Sequence, residues 1–226
     1  MPSVYVTGTD TDAGKTWASA ALLHALRRTG PAVGMKPFAS GCRWTADGWR
    51  NADALALQAA SDPVPEYALV NPFALPEPTA PGIAAQRAGV RLALPPVVAA
   101  HAALAALAPT VLVEGVGGWL SPVDDAIDQV DVCRALGITD AVLVVGLRLG
   151  CINHARLTAR ALAADGMRLR GWIGSAVDPA LAWPEETLAI LRATLGVPCM
   201  GVLPFEPGSP PEERADRIVL PMGLPG

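Results

Sequence analysis

The chain contains 226 residues, of which 51% are hydrophobic and 17% charged, and its formal net charge at pH 7 is −4. This length suits one large domain with a sizeable core, so we predict a single domain over residues 1–226. The acidic balance argues against a nucleic-acid partner, because such proteins carry basic surfaces. Four widely spaced cysteines without a Cys-x-x-Cys pair argue against a disulfide framework or a zinc site.

The sequence also bears on the cellular compartment. The N-terminal region enters an apolar strand pattern at once, without a basic segment followed by a signal-like apolar run. The longest apolar helix candidate, residues 97–108, contains His101 and is too short to span a bilayer. We therefore expect a soluble, cytoplasmic protein without a membrane partner.

Short β-branched runs alternate along the chain with runs rich in alanine and leucine. This alternation predicts a doubly wound α/β fold, a mostly parallel sheet with helices on both faces. Uninterrupted apolar strands are typical of a sheet that is buried on both faces. The predicted strands are Val4–Thr7, Ala32–Met35, Val111–Glu114, Ala141–Val145, Leu169–Gly174 and Cys199–Leu203. The predicted helices are Lys15–Arg28, Ala52–Ala60, Ile83–Ala88, Pro95–Ala108, Asp131–Leu136, Asn153–Asp165 and Pro184–Leu195.

Two segments do not follow this pattern. Residues 61–82 are rich in proline and are predicted to form an irregular excursion from the sheet pattern, which resumes after them. The tail from Pro204 is rich in proline and glycine and gives no clear secondary-structure prediction.

The first predicted strand is followed by the segment Gly8-Thr-Asp-Thr-Asp-Ala-Gly-Lys-Thr16 and then by a long helix. A glycine-containing turn in this position presents backbone N–H groups to a phosphate, and the helix dipole adds to the attraction. Lys15 would then reach the β/γ-phosphates and Thr16 a Mg²⁺ ion. Five residues, instead of the usual four, separate the first glycine from Gly-Lys-Thr, with Thr9 where that glycine normally stands. The segment predicts a P-loop and a fold of the P-loop NTPase type.

Two further segments lie just past predicted strand ends, where ligands bind in such sheets. In residues 35–41, Lys36 would neutralise charge on a transferring phosphoryl group, and Ser40 would donate to a substrate oxygen. The alternative there is a solvated lysine in an ordinary turn. In residues 110–119, Glu114 precedes a glycine turn and would bind Mg²⁺; the alternative is a strand-capping carboxylate.

Local sequence supports two other candidates less strongly. Asp53 begins a helix, where an aspartate usually serves as the N-cap. The junction Leu149–His154 offers free backbone N–H groups for a carboxylate, as any strand–helix junction does. Within it, His154 favours a structural role, and Cys151 that of a small apolar filler.

Together these segments resemble the dethiobiotin synthetase family. They occur in family order through most of the chain, up to about Pro204, and the ordered set is far more specific than any one motif. The matching segments are Gly8–Thr16 with its five-residue spacing, Lys36-Pro-Phe-Ala-Ser-Gly41, Asn51-Ala-Asp-Ala-Leu-Ala-Leu-Gln58, Glu77-Pro-Thr-Ala-Pro81, Glu114-Gly-Val-Gly-Gly-Trp119 and Gly150-Cys-Ile-Asn-His-Ala155.

The resemblance implies a homodimer of P-loop α/β subunits with the active site near the subunit interface. The implied reaction converts 7,8-diaminononanoate, CO₂ and MgATP into dethiobiotin, ADP and phosphate, without biotin as a cofactor. It passes through a carbamate and then a carbamoyl phosphate, which is a mixed anhydride. The second amine attacks the carbonyl of this anhydride, and the ring closes.

The resemblance also implies roles for individual residues. Mg²⁺ would be held by Thr16, Asp53 and Glu114. Lys15 and Lys36 would act on the phosphates and the carbamate, and Thr11 and Ser40 would contact the diamine or the carbamate. The distal carboxylate of the substrate would be held by a loop of the partner subunit, which comprises Gly150, Cys151, Ile152 and Asn153. Further nucleotide contacts are implied for Asp12, Ala13, Gly14, Trp17, Gly115, Val116, Gly117, Ser175, Ala176, Pro204, Phe205 and Glu206.

The sequence departs from the family pattern in places. Ser175 stands where the family usually has an asparagine that reads the adenine, and a hydroxyl lacks the paired donor and acceptor of an amide. This departure puts the selectivity for ATP in doubt. Gly82 stands where the family often has histidine. Beyond Pro204, Glu206 and Glu212 are alternative candidates for the base and ribose pocket.

Three other functions are weighed against this one. A cobyrinate-type amide ligase usually carries an added glutamine-hydrolysing domain, for which this chain has no room. A ParA/MinD-like ATPase switch has an extra lysine early in its P-loop, where this chain has Thr9-Asp10-Thr11. A binding module without turnover would leave the Lys36 and Glu114 segments without a purpose.

Overall fold

The computed structural model describes residues 3–206 and 208–224. In chain order its elements are β1 (Ser3–Gly8), α1 (Lys15–Leu26), β2 (Ala32–Met35), β3 (Phe38–Ala39), β4 (Arg43–Thr45), β5 (Gly48–Arg50), α2 (Ala52–Ala60), α3 (Tyr67–Val70), β6 (Phe73–Ala74), α4 (Pro81–Ala88), α5 (Leu94–Leu107), β7 (Thr110–Gly118), α6 (Gln129–Leu136), β8 (Asp140–Leu147), α7 (Cys151–Ala164), β9 (Arg168–Ala176), α8 (Pro184–Leu195), β10 (Cys199–Leu203) and α9 (Pro211–Ala215). Each strand and helix predicted from the sequence is found, with bounds that differ by a few residues.

Six strands form one parallel sheet in the order β10-β9-β8-β1-β7-β2. Strand β1 shows why these strands are apolar throughout. Val4 and Val6 pack into the cluster that contains α1 and α2, whereas Tyr5 packs on the opposite face with α5 and α6. Because successive side chains point to opposite faces, a strand covered by helices on both sides has no solvent-facing position. The predicted doubly wound fold is confirmed.

The proline-rich residues 61–82 are more ordered than the sequence indicates. They contain α3 and β6, and β6 pairs in parallel with β3. Phe73 stacks on Phe38 with ring centroids 5.3 Å apart, and the backbone N–H of Leu75 donates to the carbonyl of Ala39 at 2.8 Å. The prediction of an irregular excursion is therefore wrong for these two elements, which form a wall along the loop that follows Lys36.

Four other short elements were not predicted, namely β3, which pairs with β6, and β4, β5 and α9. Strands β4 and β5 form an antiparallel hairpin after the Lys36 loop. In the C-terminal tail, α9 lies against α1, with Glu212 at 3.7 Å from His24 and Asp216 at 2.5 Å from Arg28. Among the described residues, no helix has both the length and the apolar character needed to cross a membrane.

Gly34 in β2 controls how closely α2 approaches the sheet. A Cβ atom at this position would lie 2.9 Å from the Cβ of Leu57 in α2 and 3.2 Å from a methyl group of Leu23 in α1. Only a hydrogen fits in that space. The close approach matters because α2 carries Asp53 near its N-terminus.

We predict that Gly34→Ala lowers the free energy of unfolding by about 1–3 kcal/mol, because the added methyl group overpacks the junction of α1, α2 and β2. Urea unfolding followed by circular dichroism measures this change. Gly118→Ala is a suitable control, since its Cβ would meet no atom closer than 3.4 Å. Equal stabilities for Gly34→Ala and the wild type would contradict the packing argument.

Candidate active site

The segment between β1 and α1 has the backbone shape of a phosphate-binding loop. Gly14, the N-cap of α1, is left-handed with φ 81°, and Asp12 also has a positive φ of 57°. A Cβ atom on Gly14 would lie 2.2 Å from the Oγ of Ser175, so the loop depends on glycine there for space as well as conformation. The first N–H groups of α1 are thereby left free at the loop, as anion binding requires.

The loop is held against the end of β8. The N–H of Thr9 donates to the carbonyl of Val144 at 2.9 Å, and the N–H of Gly146 donates to the hydroxyl of Thr9 at 3.3 Å. Asp10 forms an ion pair with Arg148, just beyond β8. These contacts fix the loop before any ligand arrives.

Lys15 is buried at the beginning of α1, and its ammonium donates to the carbonyl of Asp10 at 2.8 Å. Burial and, to a smaller extent, the nearby positive charge of Lys36 lower the pKa of Lys15 to about 8, against the opposing effect of the carboxylates. A phosphate placed beside it would favour the charged form again. Lys15 is thus suited to an incoming anion.

Lys36, immediately after β2, lies among acidic groups in the interior. Its Nζ is 2.6 Å from Oε1 of Glu114 and 3.1 Å from Oδ2 of Asp53, and it donates to the carbonyl of Gly115 at 3.1 Å. Lys36 and Glu114 are 3% and 0% exposed. All three ammonium protons therefore have protein acceptors.

Charge pairing decides the protonation of this cluster. Burial on its own would lower the pKa of Lys36, but attraction to Glu114 and Asp53 outweighs it and raises the pKa. Burial would likewise raise the pKa of Asp53, and the Lys36 ammonium overcomes this and lowers it. The cluster therefore holds Lys36 as a cation and Asp53 as an anion.

Two predictions about these carboxylates need correction. Glu114 lies in the middle of β7 and not past its end, because β7 continues through the glycines to Gly118. Gly118 pairs with Gly8, the last residue of the neighbouring strand β1. Asp53 is not the N-cap of α2. The side chain of Asn51 takes that place and accepts from the N–H groups of Asp53 and Ala54 at 2.9 and 3.2 Å. Because Asn51 caps the helix, the Asp53 carboxylate is free to face Lys36.

Oxygen atoms near Lys36 fit a hard divalent cation. We call Lys36, Asp53 and Glu114 the acidic cluster. The hydroxyl of Thr16 donates to Oε1 of Glu114 at 3.2 Å and so lies next to this cluster. Oε2 of Glu114 is buried and has no hydrogen-bond partner among the described residues. The side chain of Asp53 is 40% exposed. Since Mg²⁺ prefers a few protein oxygens together with water and phosphate, Thr16, Asp53 and Glu114 suit it.

The P-loop and the acidic cluster open into one cavity of about 1040 Å³. The predicted residues that line it are Thr11, Asp12, Gly14, Lys15, Thr16, Trp17, Lys36, Ser40, Asp53, Val116, Gly117, Ser175, Ala176, Pro204, Phe205 and Glu206. Ala13, Glu114 and Gly115 are not part of its lining. The segment Gly150–Asn153 does not line it either, and forms the N-cap and first residues of α7. Its predicted role in a partner's active site remains a prediction.

Sequence reasoning missed several residues that shape the cavity. Arg214 of α9 places its guanidinium 4.4 Å from the ring centroid of Trp17, at the far wall. Gln129 is buried and donates to the carbonyls of Val116 and Ser121 at 2.7 and 3.1 Å, while Tyr5 donates to its Oε1 at 2.7 Å. Gln129 therefore fixes the glycine-rich end of β7 and the segment that follows it. No spacing rule identifies a lone buried glutamine in advance.

Known proteins resemble this chain over nearly its whole length. A family model described as an AAA domain matches residues 2–213. The ATP-dependent dethiobiotin synthetase BioD of Xanthomonas euvesicatoria is 57% identical over 97% of this chain and 98% of its own length. The protein of the same name from Xylella fastidiosa is 56% identical over 96% and 97%.

Among solved structures, a ParA family ATPase from Chlorobium tepidum shares the fold. The TM-score is 0.54 with 13% sequence identity, and the match covers 95% of this chain and 96% of the other. At such low identity the likeness extends to the fold and not to the activity.

We predict that Lys36→Met lowers the free energy of unfolding in metal-free buffer by about 3–5 kcal/mol, because it leaves the buried Glu114 carboxylate without its counter-ion. In the double variant Lys36→Met/Glu114→Gln much of this loss should be recovered, since both buried charges are then gone. Denaturant unfolding of both single variants and the double variant, with EDTA present, measures the coupling. Additive losses would show that the two charges do not depend on each other.

Proposed function

The chain belongs to the dethiobiotin synthetase family, and we propose that it makes dethiobiotin from 7,8-diaminononanoate and CO₂ at the expense of ATP. The observation that carries this proposal is that five of the six family motifs contribute residues to the lining of one cavity, which is large enough for a nucleotide. There Lys15 and Thr16 of the P-loop lie beside Lys36 and Asp53. We further propose that residues 1–226 act as one domain.

The first proposed step needs little from the protein. An uncharged amine of the substrate adds to the carbon of CO₂ and loses a proton, which gives a carbamate anion. The anion needs positive charge and hydrogen-bond donors near it, and the hydroxyls of Thr11 and Ser40 with Lys36 line the cavity where such donors are needed.

In the second step, a carbamate oxygen attacks the γ-phosphorus of ATP, the bond to ADP breaks, and a carbamoyl phosphate forms. Phosphoryl transfer depends on alignment and charge neutralisation more than on a strong base. Lys15 and the free N–H groups of the P-loop supply both for the nucleotide. In the third step the second amine attacks the activated carbonyl, phosphate leaves, and the cyclic urea closes.

Lys36 has to exchange one protein contact to touch the reacting groups, because its three protons already have acceptors. The bond to Asp53 is the one we expect to open. Asp53 is partly exposed, whereas Glu114 and the carbonyl of Gly115 hold the ammonium from the buried side. Lys36 would then keep its position and turn one proton toward the carbamate or the γ-phosphate.

We propose Thr16, Asp53 and Glu114 as the protein ligands of Mg²⁺. When bound, the ion would neutralise charge on the nucleotide phosphates. The unpaired Oε2 of Glu114 and the partly exposed Asp53 support this assignment. We also propose that the enzyme is a cytoplasmic homodimer in which the partner's loop 150–153 binds the distal carboxylate of the diamine, through the N–H groups at the start of α7.

A product assay tests the reaction itself. We predict that the purified protein forms dethiobiotin, detected by mass spectrometry, when 7,8-diaminononanoate, bicarbonate, Mg²⁺ and ATP are all present, and that omitting any one stops it. Parallel reactions with CTP measure what Ser175 does to base selection, because its single hydroxyl offers less discrimination than an amide. Nucleotide hydrolysis without dethiobiotin would reject the synthetase and favour an ATPase switch.

Lys36→Ala should lower turnover by a few powers of ten while nucleotide binding remains measurable. The expected loss corresponds to about 3–4 kcal/mol of transition-state stabilisation, comparable to the loss of an oxyanion donor. Steady-state turnover and ADP binding by calorimetry separate the two effects. Near-normal turnover in a folded Lys36→Ala protein would show that Lys36 has no part in the chemistry.

A further inference from the structure

The loop that carries Lys36 and Ser40 is held by Val70 and Asn71, which lie outside the cavity lining, and by Asn51, which is part of it. The N–H of Lys36 donates to the carbonyl of Val70 at 2.7 Å, and the carbonyl of Lys36 accepts from Nδ2 of Asn71 at 2.7 Å. Both polar atoms of the Lys36 backbone are thus bound by the end of α3 and the residue after it. The carbonyl of Ser40 accepts from Nδ2 of Asn51 at 3.1 Å.

One hydroxyl connects these two asparagines. Tyr67 donates to Oδ1 of Asn71 at 3.0 Å and accepts from the backbone N–H of Asn51 at 2.8 Å. Asn71 is 3% exposed and Asn51 8% exposed, so few water molecules compete for these bonds. We name Asn51, Tyr67 and Asn71 the tyrosine relay. Asn51 also caps α2, the helix that carries Asp53.

We propose that Tyr67 is a positioning residue of the reaction. Its hydroxyl fixes the distance between the segment that holds Lys36 and the asparagine that holds both Ser40 and the start of the Asp53 helix. Tyr67 itself is not part of the cavity lining, so it acts through the residues that it connects. The expected effect of Tyr67 on turnover rests on the proposed function, whereas its expected effect on the loop does not.

Such a link is needed because Lys36 and Asp53 belong to different elements, and the distance between their side chains has to be set accurately. Lys36 follows β2, Asp53 belongs to α2, and the hairpin β4–β5 lies between them in the chain. A misplacement of about 1 Å between reacting or charge-bearing groups costs on the order of a hundredfold in rate. A hydrogen-bonded link between the two sides restricts such errors without touching the substrate.

The test is Tyr67→Phe, which removes only the hydroxyl. Arg50→Met is the matched control, because the Arg50 guanidinium lies 4.2 Å from the centroid of the same ring but takes no part in the relay bonds. We expect kcat of Tyr67→Phe to fall about 10–100-fold. The KM for ATP should stay within about twofold, because the P-loop contacts are unchanged. Arg50→Met should resemble the wild type in both.

A second measurement reports on the stability of the loop independently of the reaction. Hydrogen exchange followed by mass spectrometry should show residues 35–41 exchanging about tenfold faster in Tyr67→Phe than in the wild type or Arg50→Met. Exchange in β8 should be unchanged. In a double-mutant cycle, Tyr67→Phe should have a smaller effect on exchange in the Asn71→Ala background than in the wild type, because the hydroxyl acts partly through Asn71.

Two results would overturn the proposal: unchanged exchange in the 35–41 peptides, or equal losses of kcat in Tyr67→Phe and Arg50→Met. A wild-type protein that forms no dethiobiotin would instead reject the proposed function. In that case faster exchange in Tyr67→Phe would still show that the relay holds the loop, so the two failures are distinguishable.

Discussion

The buried ion pair between Lys36 and Glu114 is the interaction on which the rest of the site depends. A charge in the protein interior is costly unless it is paired and hydrogen-bonded, and these two groups satisfy each other at 2.6 Å. The pair also joins two parts of the fold, the end of β2 and the middle of β7. Because neither charge is stable there alone, the pair requires β2, β7 and the Lys36 loop to be placed together.

The acidic cluster and the P-loop are complementary in their electrostatics. The P-loop offers free N–H groups and a lysine with a lowered pKa, both suited to anions. The acidic cluster offers a bound ammonium and carboxylate oxygens, of which one is buried without a partner among the described residues. An arrangement that neutralises a polyphosphate on one side and organises a cation on the other is what phosphoryl transfer requires.

Much of this could be predicted from sequence, and the failures have a common cause. The six strands and the P-loop follow from long apolar runs and from glycine chemistry, which are local signals. The relay of Asn51, Tyr67 and Asn71 and the buried Gln129 depend on contacts between distant segments. Helix α3 and strand β6 contain four and two residues, too few for any periodicity, and the surrounding prolines suggest an irregular segment. Asp53 was expected as an N-cap because the sequence does not say which of two neighbouring candidates, Asn51 or Asp53, takes that place.

The proposed reaction depends most on one step, the attack of a carbamate oxygen on the γ-phosphate of ATP in the cavity into which the P-loop and the acidic cluster open. A single-turnover reaction with ¹⁸O-labelled CO₂ in unlabelled water tests it most directly. We expect the released inorganic phosphate to carry one ¹⁸O atom in proportion to the label that remains in CO₂, because the carbamate oxygen becomes a phosphate oxygen when the ring closes. Unlabelled phosphate, released together with labelled dethiobiotin, would contradict it.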